Sequence, residues 1–103
     1  MVAKIILTTY PSIEEAKAAS KEAVSEGLAA CVNIVRTNST YAWKGKIEEA
    51  DEVLAIYKTT DAKAAKLRNF IESKHSNDVP EIITLETNNV SKEYMKWLLE
   101  STK

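Results

Sequence analysis

Apolar positions along the chain repeat at two periods, which predict four strands and three helices. Ile5-Ile6-Leu7-Thr8-Thr9 is a short β-rich run. It stops at Pro11, which lacks the N–H a ladder needs. Ser12 then opens a helix, with Glu15 three residues on in capping-box spacing. Ile13, Ala16, Ser20, Ala23 and Val24 form a narrow stripe at helical period, and Gly27 supplies the left-handed residue that closes it. The stripe is mostly alanine, so this helix must lie close to whatever it covers.

Two long β segments follow. Ala29 to Val35 is apolar and β-branched, Arg36 to Thr40 is polar but still strand-compatible, and Tyr41 and Trp43 resume the pattern. Lys44-Gly45 is a turn signal, and Lys46 to Thr60 returns through Ile47, Val53, Leu54, Ile56 and Tyr57. That is a hairpin. Asp61 is placed to cap a second helix whose inner face is Ala64, Leu67, Phe70 and Ile71. Pro80 precedes a fourth strand over Ile82-Ile83-Thr84-Leu85, and Ser91 caps a last helix with Tyr94, Trp97 and Leu98 on one side. Val90 can staple onto Met95. The order β-α-β-β-α-β-α predicts an α+β fold: a ferredoxin-like βαββαβ antiparallel sheet with a long central hairpin and an extra C-terminal helix. One domain over residues 1–103 accounts for the chain.

The hairpin is too long for its body. Arms of about 14 residues at ~3.3 Å each reach about 45 Å. A domain of this length has a radius of gyration near 13 Å, and so a diameter of about 33 Å. The tip, Tyr41 to Ile47, should overhang, exposing aromatic surface and unpaired strand edges. Covering by further copies in a closed homo-oligomer is the expected solution. A bulge near Arg36–Ser39 that folds the ribbon back is the alternative.

Composition narrows the function classes. Of the residues, 45% are apolar and 28% charged, a soluble globular profile, and the formal net charge of −1 leaves no basic excess for phosphate backbones. No nucleic-acid partner is expected. No segment approaches the ~20 apolar residues that span a bilayer, and Met1 to Leu7 is too short for a secretory signal. With Cys31 as the single cysteine, no intrachain disulfide forms, and the cytoplasm is the expected compartment.

Candidate chemistry is sparse. One His and one Cys stand more than forty residues apart, with no Gly-rich loop and no G-x-S-x-G, so the chain is not expected to be an enzyme. One chain cannot supply the three or four soft ligands of a closed metal site, although a subunit interface multiplies each ligand. Cys31 reads as buried structural cysteine or as a ligand. His75 reads as a helix C-terminal cap, where an imidazolium suits the dipole, or as a ligand. Tyr41 and Trp43 alternate on one face of the hairpin tip, as interface packing or as a stacking platform. Lys58 sits at a sheet edge or faces a polar cavity; Glu81 is an exposed strand start or a wall of that cavity.

Five separated blocks are specific enough to carry a resemblance. They are Leu28-Ala29-Ala30-Cys31-Val32-Asn33-Ile34, Ser39-x-Tyr41-x-Trp43-Lys44-Gly45-Lys46-Ile47-Glu48, Glu52-Val53-Leu54 running to Lys58-Thr59, His75 with Val79-Pro80-Glu81-Ile82-Ile83, and Tyr94-x-x-Trp97. Together they resemble the divalent-cation tolerance proteins of the CutA family over essentially the whole chain. The resemblance implies a ferredoxin-like homotrimer with hairpins packed between subunits. It also implies a cytoplasmic, non-enzymatic role in tolerance of divalent metals, copper especially, with an architecture similar to the trimeric PII signalling proteins. The family's His-Pro-Tyr-x-x-Pro-Glu block reads His75-Ser76-Asn77-Asp78-Val79-Pro80-Glu81 here. The positions matching proposed copper ligands in relatives are Thr8, Lys74 and His75, of which His75 alone keeps ligand chemistry. Two functions are therefore expected. One is a copper or other divalent metal-binding trimer using His75 and Cys31. The alternative is a PII-like module holding a small anion in an inter-subunit cleft lined by Tyr41, Trp43, Lys58 and Glu81.

Overall fold

Ser12 stands in extended backbone, φ −141° and ψ 156°, and its side chain accepts the N–H of Glu15, which starts α1 (Ile13–Ser25) where the sequence placed it. The capping box closes only halfway. Glu15 turns its carboxylate to Ser76 instead, taking the Ser76 N–H at 3.1 Å and its hydroxyl at 2.7 Å. At the other end Gly27 adopts φ +71°, and Leu28 donates back to the Ala23 carbonyl at 2.9 Å, closing the helix. Ala16, Ser20 and Ala23 are buried, whereas Val24 belongs to the solvent side.

The structure, a computed structural model, describes residues 2–103. The remaining elements are β1 (Ala3–Tyr10), β2 (Cys31–Trp43), β3 (Lys46–Thr60), α2 (Ala64–Lys74), β4 (Ile83–Glu86) and α3 (Lys92–Ser101). The sheet order is β2-β3-β1-β4, antiparallel throughout. This is the ferredoxin-like arrangement with one added helix.

Asp61 does not cap α2. Lys63 occupies that position, and Asp61 exchanges two bonds with Val2 instead, tying β1's start to the end of β3. Ser91 does stand at the N-cap of α3, but its hydroxyl makes no capping bond. Val90 and Met95, the two staple positions, both pack against a small cluster of Ala3, Ala30 and Leu98.

Strand alternation gives the sheet two unlike faces. Ile6 and Tyr10, Val53, Ala55 and Tyr57, and Val32 and Ile34 turn toward α1 and α2 and pack with Leu67, Phe70 and Ile71. The other face presents Ile5, Leu7, Leu54 and Ile56 half-buried and Val35, Ile83 and Leu85 exposed. Only α3 reaches it, at the Ala3 end.

The ribbon is continuous. β2 and β3 pair without a break from Cys31↔Lys58 to Trp43↔Lys46, so no bulge folds it back. Lys44 at φ 52° and Gly45 at φ 80° make the tight turn. β1 supports β3 only over Val53–Thr60. The seven residues Lys46–Glu52 therefore have β2 alone beside them, an overhang of about 23 Å at ~3.3 Å per residue. The longest dimension is 45 Å against 26 and 21 Å across.

Candidate functional site

His75 ends α2, and its ring is locked from three sides. Nε2 lies 2.7 Å from the Thr9 carbonyl, which can only accept, so Nε2 carries the hydrogen. Nδ1 then accepts the Asn77 N–H at 3.1 Å. The ring stacks on Tyr10 at 4.7 Å and 9°. The ring serves as a latch between β1 and the 75–80 segment, and His75 stands at the C-cap of α2. Both ring nitrogens that a metal could use are already engaged.

Behind the latch lies a buried pair of phenols. The Tyr10 and Tyr57 hydroxyls meet at 2.6 Å, while Ser20 of α1 donates to the Ala16 carbonyl at 2.7 Å. Burial, first of all, pushes both phenols above their ordinary pKa, Tyr10 the further.

A second polar group interrupts the open face. Lys58 is interior to the sheet, not at an edge; its ammonium donates to the Asn33 side-chain carbonyl, and Cys31 is its cross-strand partner. Cys31 is partly exposed rather than buried. Tyr94 of α3 lies nearby, and partial burial, then the thiol, raises the Tyr94 phenol. Asn33 and Tyr94 were not legible as partners. Asn33 becomes one through the strand register, and Tyr94 through helix docking.

The predicted residues do not converge within one copy. Cys31 and Lys58 sit at one end of the open face, while His75 latches onto Tyr10, at the other end and on the helix face. Tyr41 and Trp43 lie at the ribbon tip, 43% and 49% exposed, ten or more residues along β2 from Cys31. Glu81 is exposed, ahead of β4. The four-residue cleft of Tyr41, Trp43, Lys58 and Glu81 is thus not formed by a single copy. Among the described residues no three His, Cys, Asp or Glu side chains group to hold a metal ion. The donors of one chain do not fit a divalent-metal site.

One concavity was not anticipated. A cleft of about 560 Å³ lies at the ribbon's root, between the start of α1 and Arg36–Asn38 with Asp51–Val53. On its ribbon wall Asn38 donates to its cross-strand partner Asp51 at 3.1 Å.

Comparison with known proteins decides the family. Residues 4–101 match the family model described as CutA1 divalent ion tolerance protein. The chain belongs to the CutA family. A relative from Pyrococcus horikoshii named divalent-cation tolerance protein CutA is 41% identical over 99 residues, 96% of this chain and 97% of that one. A crystal structure of CutA1 from the same organism superimposes with a TM-score of 0.93 at 40% identity, covering 97% and 98% of the two chains. CutA from Archaeoglobus fulgidus, described as periplasmic, gives a TM-score of 0.95 at 37% identity over 98% and 99%. The CutA fold therefore matches over nearly the whole chain. No described helix is long and apolar enough to cross a membrane.

Proposed function

We propose that the protein acts as a homotrimer in divalent-cation tolerance, through residues 1–103 as one domain, and that it binds rather than catalyses. The observation that carries this reading is the uncovered half of the fold. The helix-side core is closed, but the open face leaves Val35, Ile83 and Leu85 at 42% to 49% exposure, and the ribbon projects with two aromatics at its tip. Contiguous exposed apolar surface on this scale is where another chain docks. The sheet's two free edges also differ, thirteen residues on β2 and four on β4. Unlike edges favour head-to-tail contact, which forms a ring when the rotation between copies closes. Three copies is the number the family resemblance implies.

A copper or other divalent ion finds no preformed site in one chain, so a tight site requires ligands from more than one copy. His75 would have to release Asn77 or Thr9 to contribute. Binding is favoured over catalysis because the one His has both ring nitrogens engaged and lies away from the one Cys, on the other side of the sheet. The cytoplasm, expected from the single cysteine, belongs to this proposal, and cell fractionation checks it. Sedimentation equilibrium at micromolar protein tests the assembly: a trimer is expected, and a monomer overturns the proposal. Copper and zinc titration calorimetry tests the role. Binding by the assembled protein, lost on dissociation, is expected; no binding by the trimer defeats the metal reading while leaving the assembly standing.

A further inference from the structure

The open face carries its charges in a particular order. On the overhang, the β3 side chains of that face include Glu48, opposite Tyr41, and Glu52, opposite Thr37. Both are half-buried even though the ribbon tip, with Lys46 beside the turn, is otherwise exposed. On the body, the same face holds a single charge, Lys58, set between apolar neighbours Ile5 and Ile56. Lys58 meets only the neutral Asn33 carbonyl and forms no ion pair among the described residues. An ammonium covered by a second copy with one neutral acceptor would be strongly unfavourable. The lengths agree as well. The overhang spans seven rungs and the body eight, about 23 and 26 Å at ~3.3 Å per residue, so one ribbon is long enough to lie across one body.

We propose that Lys58 of one copy receives a carboxylate, Glu48 or Glu52, from the neighbouring copy's ribbon, and that this ion pair sets where along the open face the ribbon lies. A basic body and an acidic ribbon on one face are complementary between copies laid head to tail, and like-charged between bodies laid face to face. The pair thus selects one register over the other. This inference rests on the homotrimer reading above.

The test uses the full chain in sedimentation velocity across a dilution series, with circular dichroism to follow folding. Wild type, Lys58→Glu, Lys58→Met, Glu48→Lys, Glu52→Lys and the two double swaps are compared. Lys58→Glu is expected to weaken assembly at least tenfold, Lys58→Met less, and one of the two swaps to restore it. If Lys58→Glu does not fold, recovery of a folded oligomer in one swap supports the pair, and recovery in neither overturns it. Assembly of Lys58→Glu at wild-type concentrations also overturns it. A monomeric wild type removes the homotrimer reading and this one together; a trimeric wild type indifferent to charge at 58 removes this one alone.

Discussion

Replacing Tyr57 by Phe tests the buried phenol pair. Tyr57 is fully buried and Tyr10 nearly so, with their hydroxyls 2.6 Å apart. Each hydroxyl is the other's side-chain partner, so Tyr57→Phe strands the Tyr10 hydroxyl in the core, a cost of about 1–3 kcal/mol. Tyr10→Phe strands the Tyr57 hydroxyl in the same way and falls in the same range of about 1–3 kcal/mol. In the double variant no stranded hydroxyl remains, and the total falls below the sum of the singles. Urea unfolding at fixed protein concentration reads all three, since association adds to apparent stability. Either single loss corresponds to a midpoint shift on the order of 1 M. Singles that simply add in the double variant would refute the pairing.

The same phenols set an alkaline limit. The folded state holds both protons more tightly than the unfolded chain, so their stabilisation is complete below the ordinary tyrosine value of about 10 and is lost as pH climbs above it. Urea midpoints should fall above about pH 10 in the wild type and fall less steeply in the double Phe variant. Gly27→Ala should cost more than Gly45→Ala: both sit at positive φ, a strain of about 1–2 kcal/mol, but only at Gly27 does the new Cβ come within 3.2 Å of a backbone atom, the Lys103 carbonyl. Thermal melts rank the two, and equal losses contradict the close approach. His75→Ala removes the latch and its stacking on Tyr10. It should speed amide exchange across residues 75–80 while sparing β3, and unchanged exchange at Asn77 would show the latch to be idle.

Local signals were read well because they depend on neighbours in the chain. Ser12, Gly27 and Lys44-Gly45 behave as their spacing predicts, since caps and turns are settled within a few residues. Asp61 and Glu15 defeat the same logic. Each is a good local capper drawn off by a distant partner, Val2 and Ser76, which no window of sequence displays. Val24 keeps helical period yet misses the core, because the all-small stripe of Ala16, Ser20 and Ala23 lets α1 sit so close that its flank is left outside.

Candidate chemistry follows the same division. The residue types, their order and the overlong ribbon are written in the chain itself: alternation and turn signals define strand length, and strand length against body size defines the overhang. Tertiary structure alone decided what those residues can do. His75 has its nitrogens occupied by Thr9 and Asn77, Cys31 stands across the ladder from Lys58, and the two end up on opposite sides of the sheet. The physical reason is that periodicity reports which face a residue takes, whereas hydrogen-bond capacity is allotted only once distant strands and helices are brought into register.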